Sequence, residues 1–325
     1  MADFLVAGVA GFIGASVAEM LLDQGYSVAG VDNLNRAYDV CMKNYRLQRL
    51  QGRAGFEFHL SDIADRAAIQ EQPVYQQPYQ AIINLAARAG VRQSLVDPWI
   101  YVDANLTGTL NLLEVCRRQS IPKFILASTS SIYGANAPLP TPESADSDHP
   151  LQPYAASKKG AEAMCYAYHY LYGIDVTVVR YFTVYGPAGR PDMSMFRFTQ
   201  WISEGMPVRV YGDGEQSRGF TYVDDIARGT IQALKPVGYE IINLGGHETI
   251  TINALIQRLE EIIGRKARVE YHPPNPADML ANWADVSKAR RLLDWQPRVT
   301  LAEGIASLVA WYNTERHWAS QINTD

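Results

Sequence analysis

The amino terminus of the chain combines an apolar run, a glycine-rich turn and a helical pattern in immediate succession. Residues 3–7 suit a buried parallel strand, and residues 15–24 have the apolar spacing of a helix. Between them lie three glycines in the order Gly8-x-x-Gly11-x-x-Gly14. Such a turn aims the free amide groups of a helix N-terminus at a phosphate. The segment therefore predicts a dinucleotide-binding unit, and with it an open α/β sheet.

Each glycine has a separate expected role. Gly8 allows the tight turn, Gly11 lets the backbone approach a pyrophosphate, and Gly14 permits close packing of helix on strand. A second predicted strand, residues 27–31, ends at Asp32, which is placed to hold a ribose 2′-hydroxyl. Because no Arg directly follows Asp32 to receive a 2′-phosphate, NAD is favoured over NADP.

Composition narrows the class of protein. The 325 residues are 47% hydrophobic, enough for one large or two modest domains. The net charge of -5 and the lack of a basic block argue against nucleic acid and anionic membrane as partners. Cys41, Cys116 and Cys165 are odd in number and widely spaced, which argues against a disulfide framework and a metal site. Residues 4–22 are apolar but lack a basic leader, so we expect a cytoplasmic protein.

Strand-like and helical patterns alternate through the first half of the chain. The predicted strands are residues 56–60, 81–85, 124–127 and 176–181, and the predicted helices are residues 99–119 and 154–172. This alternation predicts an α/β fold, a Rossmann-type doubly wound parallel sheet with a smaller C-terminal α/β substrate domain. We expect residues 1–182 to form the NAD-binding domain and residues 183–325 mainly the second domain. A strand near 240–243 is expected to return to the first domain.

Tyr154 and Lys158 are four residues apart at the start of a predicted helix and so share a face. A phenol has a pKa of about 10, and a neighbouring fixed cation lowers it toward the range of a general base. The pair predicts acid–base chemistry, although the same spacing also occurs on solvated helix faces.

Small and hydroxyl-bearing residues follow the predicted strands. Ala86 and Ala87 come after the fourth strand, and residues 128–131 (Ser-Thr-Ser-Ser) end the fifth. The carboxyl ends of parallel strands are where open α/β sheets bind ligands. These hydroxyls therefore predict a donor array for substrate oxygens, with backbone capping as the alternative.

Taken together, several motifs resemble the extended short-chain dehydrogenase/reductase family of nucleotide-sugar epimerases and dehydratases. They are Gly8-Val-Ala-Gly-Phe-Ile-Gly14, Asp32-Asn-Leu-Asn35, Asn84-Leu-Ala-Ala87, Ser128-Thr-Ser-Ser-Ile-Tyr-Gly134, Tyr154-Ala-Ala-Ser-Lys158 and Arg218-Gly-Phe-Thr-Tyr-Val-Asp-Asp225. The resemblance covers essentially the whole chain. Within the family, residues 32–39, 89–92, 97–98 and 180–193 look like those of members that epimerise UDP-glucuronate at carbon 4.

The resemblance implies an enzyme, a nucleotide-sugar 4-epimerase with tightly bound NAD and a UDP-sugar substrate. Tyr154, ionised with help from Lys158 and the nicotinamide charge, would remove the proton of the sugar 4-hydroxyl while NAD takes the hydride from carbon 4. The 4-keto sugar would turn and receive the hydride on its other face. Thr129 would hydrogen-bond the same oxygen.

The resemblance also implies the binding residues. Cofactor contacts by position are Gly8, Gly11, Phe12, Ile13, Gly14, Asp32, Asn33, Asn35, Lys43, Asp62, Ile63, Leu85, Ala86, Ala87, Asn105, Tyr154, Lys158 and Tyr181. For Lys43, Asn105 and Tyr181 an ordinary packing role stays equally open. Substrate contacts are Ser130, Ser131, Thr183 and Arg190 at the sugar carboxylate, Arg218 at the pyrophosphate and Asp278 at the uridine ribose.

The carboxylate raises a chemical problem, because oxidising carbon 4 of a uronic acid gives a β-keto acid that tends to lose carbon dioxide. Fixed donors would hold the carboxylate in an unreactive orientation. Dehydratases and uronate decarboxylases of the family carry an acidic residue after the catalytic Thr or Ser, whereas here Ser130 and Ser131 follow. The expected reaction is therefore conversion of UDP-glucuronate to UDP-galacturonate without decarboxylation.

Four departures from the family pattern bear on binding. Ala7 and Val9 replace a usual Thr and Gly but keep the main-chain amides of the turn, so we expect cofactor binding to persist. Asn84 replaces a common His, and Ala277 a Gly, which places the uridine-side contacts in doubt.

Two rival functions stay open at this point. A UDP-glucose/UDP-galactose 4-epimerase is the nearer one, and Thr183 and Arg190 argue for the acid sugar instead. A noncatalytic NAD-binding sensor is more remote, because such relatives tend to lose the Tyr/Lys pair. Relatives also pair two helices into a four-helix bundle, so residues 99–119 and 155–172 predict a homodimer.

Overall fold

The computed structural model describes residues 2–246, 248–274 and 280–324. The strands are β1 (Phe4–Ala7), β2 (Val28–Asp32), β3 (Phe56–Leu60), β4 (Ala81–Asn84), β5 (Lys123–Thr129), β6 (Asp175–Tyr181), β7 (Thr183–Tyr185), β8 (Pro207–Tyr211), β9 (Ser217–Tyr222), β10 (Tyr239–Leu244), β11 (Glu248–Thr251), β12 (Arg268–His272) and β13 (Ala281–Asn282).

The helices are α1 (Phe12–Asp23), α2 (Val40–Leu50), α3 (Arg66–Glu71), α4 (Trp99–Tyr101), α5 (Gly108–Gln119), α6 (Pro153–Tyr172), α7 (Ser194–Glu204), α8 (Val223–Gln232), α9 (Ile252–Ile263), α10 (Ser287–Leu293) and α11 (Leu301–Ala319). No helix in the described ranges is both long and apolar enough to cross a membrane.

A seven-stranded sheet with the order β10-β6-β5-β4-β1-β2-β3 forms the centre of the fold, and all of its strand pairs are parallel. The run of β1 is apolar throughout because its alternate residues pack in two different cores. Phe4 and Val6 belong to the core on one face, and Leu5 and Ala7 to the core on the other. A strand buried on both faces is typical of a doubly wound fold. The predicted fold class is confirmed.

Helices cover both faces of this sheet. Val17 of α1 and Ile226 of α8 belong to the core on one face, whereas Leu112 of α5 and Ala161 of α6 belong to the core on the other. The strand β10 pairs with β6 at the sheet edge, so the chain does come back to this sheet after residue 183.

A second, smaller core lies among the later elements. Trp201, Leu259 and Leu308 belong to it, from α7, α9 and α11. The strands there pair as β11-β9-β13, with β7 beside β9, and β12 pairs with β8. Elements of the two parts interleave along the chain, because α8, β10 and α10 contribute to the core of the large sheet.

The predicted helix over residues 99–119 is not one regular α-helix. A π-helical segment, Val102–Thr107, separates α4 from α5. π-Helical turns carry one more residue per turn and often occur at functional sites. Here the turn contains Asn105, whose side chain is fully buried and bonds backbone outside the helix.

Candidate active site

The glycine turn after β1 has no room for side chains. Gly8 has φ +80°, and a Cβ there would lie 2.6 Å from the amide nitrogen of Ala86. A Cβ on Gly14 would lie 2.1 Å from the carbonyl oxygen of Gly8. Gly11 donates its amide hydrogen to that same oxygen at 2.9 Å. The turn is therefore held tightly between α1 and the strand end of β4, which leaves a bare backbone at the N-terminus of α1.

A pocket opens beside this turn, at the carboxyl ends of the central strands. The predicted cofactor residues that line it are Gly8, Gly11, Asp32, Asn33, Asn35, Lys43, Asp62, Ile63, Leu85, Ala86 and Ala87. Val31, Ala37, Tyr38, Ser61 and Ala104 line it as well. Residues from five separate stretches of sequence thus converge on one cavity, at the place where such sheets bind dinucleotides.

Asp32 is the anchored acid of this pocket. It lies at the end of β2 and is 7% exposed. Its carboxylate accepts hydrogen bonds from the amides of Ala10 at 3.2 Å and Leu34 at 2.8 Å, and from Lys43 Nζ at 3.3 Å. Three donors therefore orient the carboxylate at the pocket wall. A carboxylate next to a bare glycine turn fits the ribose and pyrophosphate of a dinucleotide.

The structure leaves several predicted cofactor residues outside this pocket. Gly14 and Ile13 lie in the first turn of α1, and Phe12 is 8% exposed under the guanidinium of Arg46. The side chain of Tyr181 lies in the core, where its hydroxyl hydrogen-bonds Thr230 Oγ1 at 2.7 Å.

Asn105 is also outside the pocket lining. Its Oδ1 accepts from the amide of Arg88 at 3.0 Å, and its Nδ2 donates to the Arg88 carbonyl at 3.0 Å and to Ser157 Oγ at 2.9 Å. With these bonds the amide is engaged within the protein. Its role in this structure is to hold the chain after β4 against α6.

Tyr154 lies at the start of α6 and is partly buried. Burial raises its pKa above the ordinary value of 10.0, while the Thr129 hydroxyl and the charge of Arg190 lower it. Desolvation of the phenolate is the largest of these effects. Arg190 supplies positive charge that favours ionisation, and the help expected from Lys158 stays a prediction.

The ammonium group of Lys158 lies against the central sheet. Its ammonium donates to the carbonyl oxygen of Ala127 at 2.8 Å and the side chain is 2% exposed. Burial lowers its pKa to about 8, and the charge of Glu162 opposes that shift. Glu162 is in turn neutralised by Arg180, at 3.0 and 2.6 Å, and accepts from Ser128 Oγ at 2.5 Å. The charged groups of Lys158, Glu162 and Arg180 thus form a buried chain behind the face of α6 that carries Tyr154.

The lowered pKa of Lys158 predicts a pH-dependent stability. Between pH 8 and about 10.4, the ordinary lysine value, the unfolded state holds a proton that the native state has lost. The free energy of unfolding of the wild type should therefore rise with pH over this window, relative to Lys158→Met, by up to about 3 kcal/mol. Urea unfolding at pH 7, 8, 9 and 10 measures this difference. Lys159→Met at the partly exposed neighbour is the control, and a constant difference would contradict the prediction.

The predicted hydroxyl array is present at the end of β5. Thr129 Oγ1 donates to Ser131 Oγ at 3.2 Å and accepts from the Ser131 amide at 3.1 Å. Ser130 is buried, and its Oγ accepts from Asn282 Nδ2 at 2.9 Å. Thr183 begins β7 and is partly exposed. Sequence reasoning missed Asn282, because its contact spans 152 residues.

Arg190 forms an ion pair with Asp192, at 3.0 Å from Nε and 2.5 Å from Nη2. Burial works to lower the pKa of this guanidinium, but the charges of Asp192, Tyr38 and Tyr154 outweigh it and raise the pKa, so the group stays charged near the Tyr154 phenol. Arg218 donates to the carbonyls of Ser217 at 2.8 Å and Leu280 at 3.4 Å. Asp278 lies outside the described residues.

Arg46 is a residue that the sequence did not point to. It lies on α2, is 2% exposed, and joins two loops. Nε and Nη2 bond the carbonyl of Ala188 at 2.9 and 2.7 Å, and Nη2 bonds that of Gly189 at 3.0 Å. Nη1 bonds the carbonyl of Ala10, in the glycine turn, at 3.3 Å. The guanidinium thus ties the cofactor turn to the loop that leads into Arg190.

A parallel sheet, a bare glycine turn with an anchored acid, and a Tyr154 and Thr129 pair define a dinucleotide-dependent class of enzyme. Residues 4–245 match the NAD dependent epimerase/dehydratase family, and the chain belongs to that family. Over 313 residues, 96% of either chain, it is 55% identical to UDP-glucuronate 4-epimerase of Thermodesulfobacterium geofontis (strain OPF15).

Solved structures give the same result. UDP-glucuronic acid 4-epimerase from Bacillus cereus, in complex with UDP-glucuronic acid and NAD, has a TM-score of 0.88 and 36% identity, over 96% of this chain and 99% of that one. UDP-glucose 4-epimerase from Thermotoga maritima, with UDP-glucose, has a TM-score of 0.86 and 32% identity, over 96% and 99%.

Proposed function

We propose that the protein catalyses NAD-dependent epimerisation of UDP-glucuronate to UDP-galacturonate at carbon 4, without loss of carbon dioxide. The observation that carries the proposal is the position of Tyr154. The Thr129 hydroxyl and the charge of Arg190 both act to lower the pKa of its phenol. An acid–base group, a hydroxyl donor and a cation thus meet in one place. The 55% identical relative named for this activity supports the same substrate.

In this mechanism Tyr154 takes the proton of the sugar 4-hydroxyl and later returns it to the 4-keto oxygen. Thr129 donates a hydrogen bond to the same oxygen in both half-reactions. Gly8, Gly11 and Asp32 would hold NAD, which when bound would supply the hydride chemistry at carbon 4 and a positive ring that favours the Tyr154 phenolate. Burial raises the pKa of the Tyr154 phenol, so positive charge beside it favours the phenolate that acts as a base.

The carboxylate of the substrate would be held by the hydroxyls of Ser130, Ser131 and Thr183, with Arg190 as the nearby cation. Asn282 supports this arrangement by donating to Ser130 Oγ, which leaves the Ser130 hydrogen free to point to an acceptor. Ser130 and Ser131 offer no carboxylate that could drive an elimination. A carboxylate fixed by several donors keeps its carbon–carbon bond out of the alignment that decarboxylation requires.

Proton NMR of the purified enzyme with UDP-glucuronate, without added NADH, tests the function. We expect a new anomeric signal of UDP-galacturonate. A pentose product would mean decarboxylation and would overturn the assigned role of Ser130 and Ser131. No change with UDP-glucuronate, together with turnover of UDP-glucose, would identify a neutral-sugar epimerase instead.

We also propose that the enzyme is a homodimer paired through the helical segments near residues 99–119 and 155–172. Trp99 is 76% exposed and Tyr170 is 77% exposed, and Leu171 is exposed as well. Large apolar residues on the outside of two adjacent helices favour a protein partner. Tyr168, in contrast, is a core residue that donates to Glu114 at 2.6 Å. Light scattering of the purified protein is expected to give twice the mass of one chain.

The domain division and the location of the protein are further proposals. We propose residues 1–182 as the NAD-binding domain and residues 183–325 mainly as the nucleotide-sugar domain. The separate core around Trp201 supports the second unit.

We propose a cytoplasmic location, which the free thiols of Cys41, Cys116 and Cys165 support. Fluorescence microscopy of a tagged chain tests the location, and limited proteolysis the domain division.

A further inference from the structure

Arg88 lies directly after the pocket wall formed by Leu85, Ala86 and Ala87. Its Nη1 donates to Asn35 Oδ1 at 3.3 Å. Asn35 also lines the pocket, and the same oxygen accepts from Lys43 Nζ at 3.3 Å. Two cationic side chains therefore meet at one amide oxygen on the cofactor side of the site.

The backbone of Arg88 is held unusually firmly. Asn105 bonds both its amide and its carbonyl at 3.0 Å, and donates to Ser157 on α6. Asn105 is fully buried and lies in the π-helical segment Val102–Thr107. Tyr101 fixes the next residues by donating to the carbonyl of Gly90 at 3.0 Å. The irregular helix thus fixes the position from which the Arg88 side chain extends.

The charges of the two cations are compensated differently. Lys43 pairs with Asp32 at 3.3 Å. Within the described ranges, Arg88 has no carboxylate partner, and its Nε is buried without a hydrogen-bond acceptor. An unpaired buried guanidinium N–H is costly, so such a group normally has an anion to bind. Arg190 and Arg46 differ in this respect, because their donors are engaged by protein oxygens.

We propose that Arg88 binds the pyrophosphate of the dinucleotide cofactor. The inference rests on the proposed function for the identity of that cofactor. A guanidinium forms paired hydrogen bonds with phosphate oxygens and keeps its charge at all accessible pH values. The pyrophosphate is the appropriate partner, because the carboxylate of Asp32 next to Lys43 repels a 2′-phosphate at the ribose. Arg88 is therefore a cofactor-binding residue in addition to those predicted from the sequence.

Calorimetric titration of nucleotide-free protein tests the assignment with adenosine, ADP-ribose and 2′-phospho-ADP-ribose as ligands. Arg88→Gln should raise the dissociation constant of ADP-ribose roughly 10- to 100-fold and leave that of adenosine within about twofold. The matched control is Arg36→Gln, which removes the same charge from an exposed side chain next to Asn35. The control should bind all three ligands as the wild type does. Arg88→Gln should also retain less NAD per chain after purification.

Each other outcome overturns the assignment. Unchanged binding of ADP-ribose by Arg88→Gln would show that Arg88 does not contact the phosphates. An equal loss for adenosine and ADP-ribose would show a structural role only. A selective loss for 2′-phospho-ADP-ribose would place the guanidinium at the ribose phosphate. The proposed function fails separately, since it would be refuted by a wild type that binds ADP-ribose but does not turn over UDP-glucuronate.

Discussion

Tyr154→Phe is expected to lower kcat for UDP-glucuronate roughly 10²- to 10⁴-fold, the range lost when a positioned acid–base group is removed. The substitution deletes one oxygen and keeps the ring, which packs edge-on to Tyr101 at 6.1 Å. Binding of the nucleotide sugar and of NAD should therefore change little. The NMR assay measures kcat, and calorimetry measures the affinity.

Tyr26→Phe is the matched control for this experiment. Tyr26 precedes β2, at the opposite end of that strand from Asp32, and is 39% exposed, so removing its hydroxyl should leave kcat unchanged. If Tyr154→Phe kept more than about a tenth of the wild-type kcat, Tyr154 would not be the group that moves the proton. A loss confined to KM would instead indicate a binding role.

Gly14→Ala is expected to have the largest effect on cofactor binding and stability. The new Cβ would lie 2.1 Å from the Gly8 carbonyl oxygen and 2.9 Å from its carbon. Both are backbone atoms, so no flexible side chain can move aside, and the turn itself must shift. We expect the free energy of unfolding to fall by about 1–3 kcal/mol. The affinity for NAD should fall at least about tenfold as the turn amides move.

Gly160→Ala provides a control with the same chemical change. Gly160 is inside α6, and its nearest neighbour, a methyl group of Leu106, would be at 3.5 Å. This is an ordinary contact, and Ala is favoured over Gly within a helix by about 0.5–1 kcal/mol. Urea unfolding should therefore show opposite signs for the two variants. A stabilising Gly14→Ala would contradict the packing argument.

Local motifs were the parts of the site that the sequence predicted well. The glycine turn, Asp32 and the small residues after β4 come together in one pocket because parallel strands place their carboxyl ends at one edge. The i, i+4 spacing of Tyr154 and Lys158 was a sound guide to their shared helix. The spacing carried no information about β5, where the carbonyl oxygen of Ala127 accepts a hydrogen bond from the Lys158 ammonium.

Long-range contacts were beyond sequence reasoning for a physical reason. Arg46 bonds residues 36 and 142 positions away, and such partners follow only from the complete fold. The π-helical segment is a similar case, because its apolar pattern resembles an ordinary helix and the bond of its Asn105 to Arg88 spans 17 residues. Tyr181 was predicted as a cofactor contact from its position in the motif. That position does not reveal on which face of β6 its side chain lies.

The guanidinium of Arg46 has a mechanical consequence. In the proposed mechanism the sugar has to rotate to present both faces of carbon 4 to the same nicotinamide, while the cofactor turn and the loop at residues 188–189 must keep their positions. Arg46 crosslinks the cofactor turn at Ala10 to Ala188 and Gly189 through one rigid planar group. Neither the cofactor turn nor the loop at residues 188–189 can be displaced without breaking the hydrogen bonds that join them through Arg46. The protein thus keeps a stationary frame around a moving intermediate, and confines the freedom of the reaction to the sugar itself.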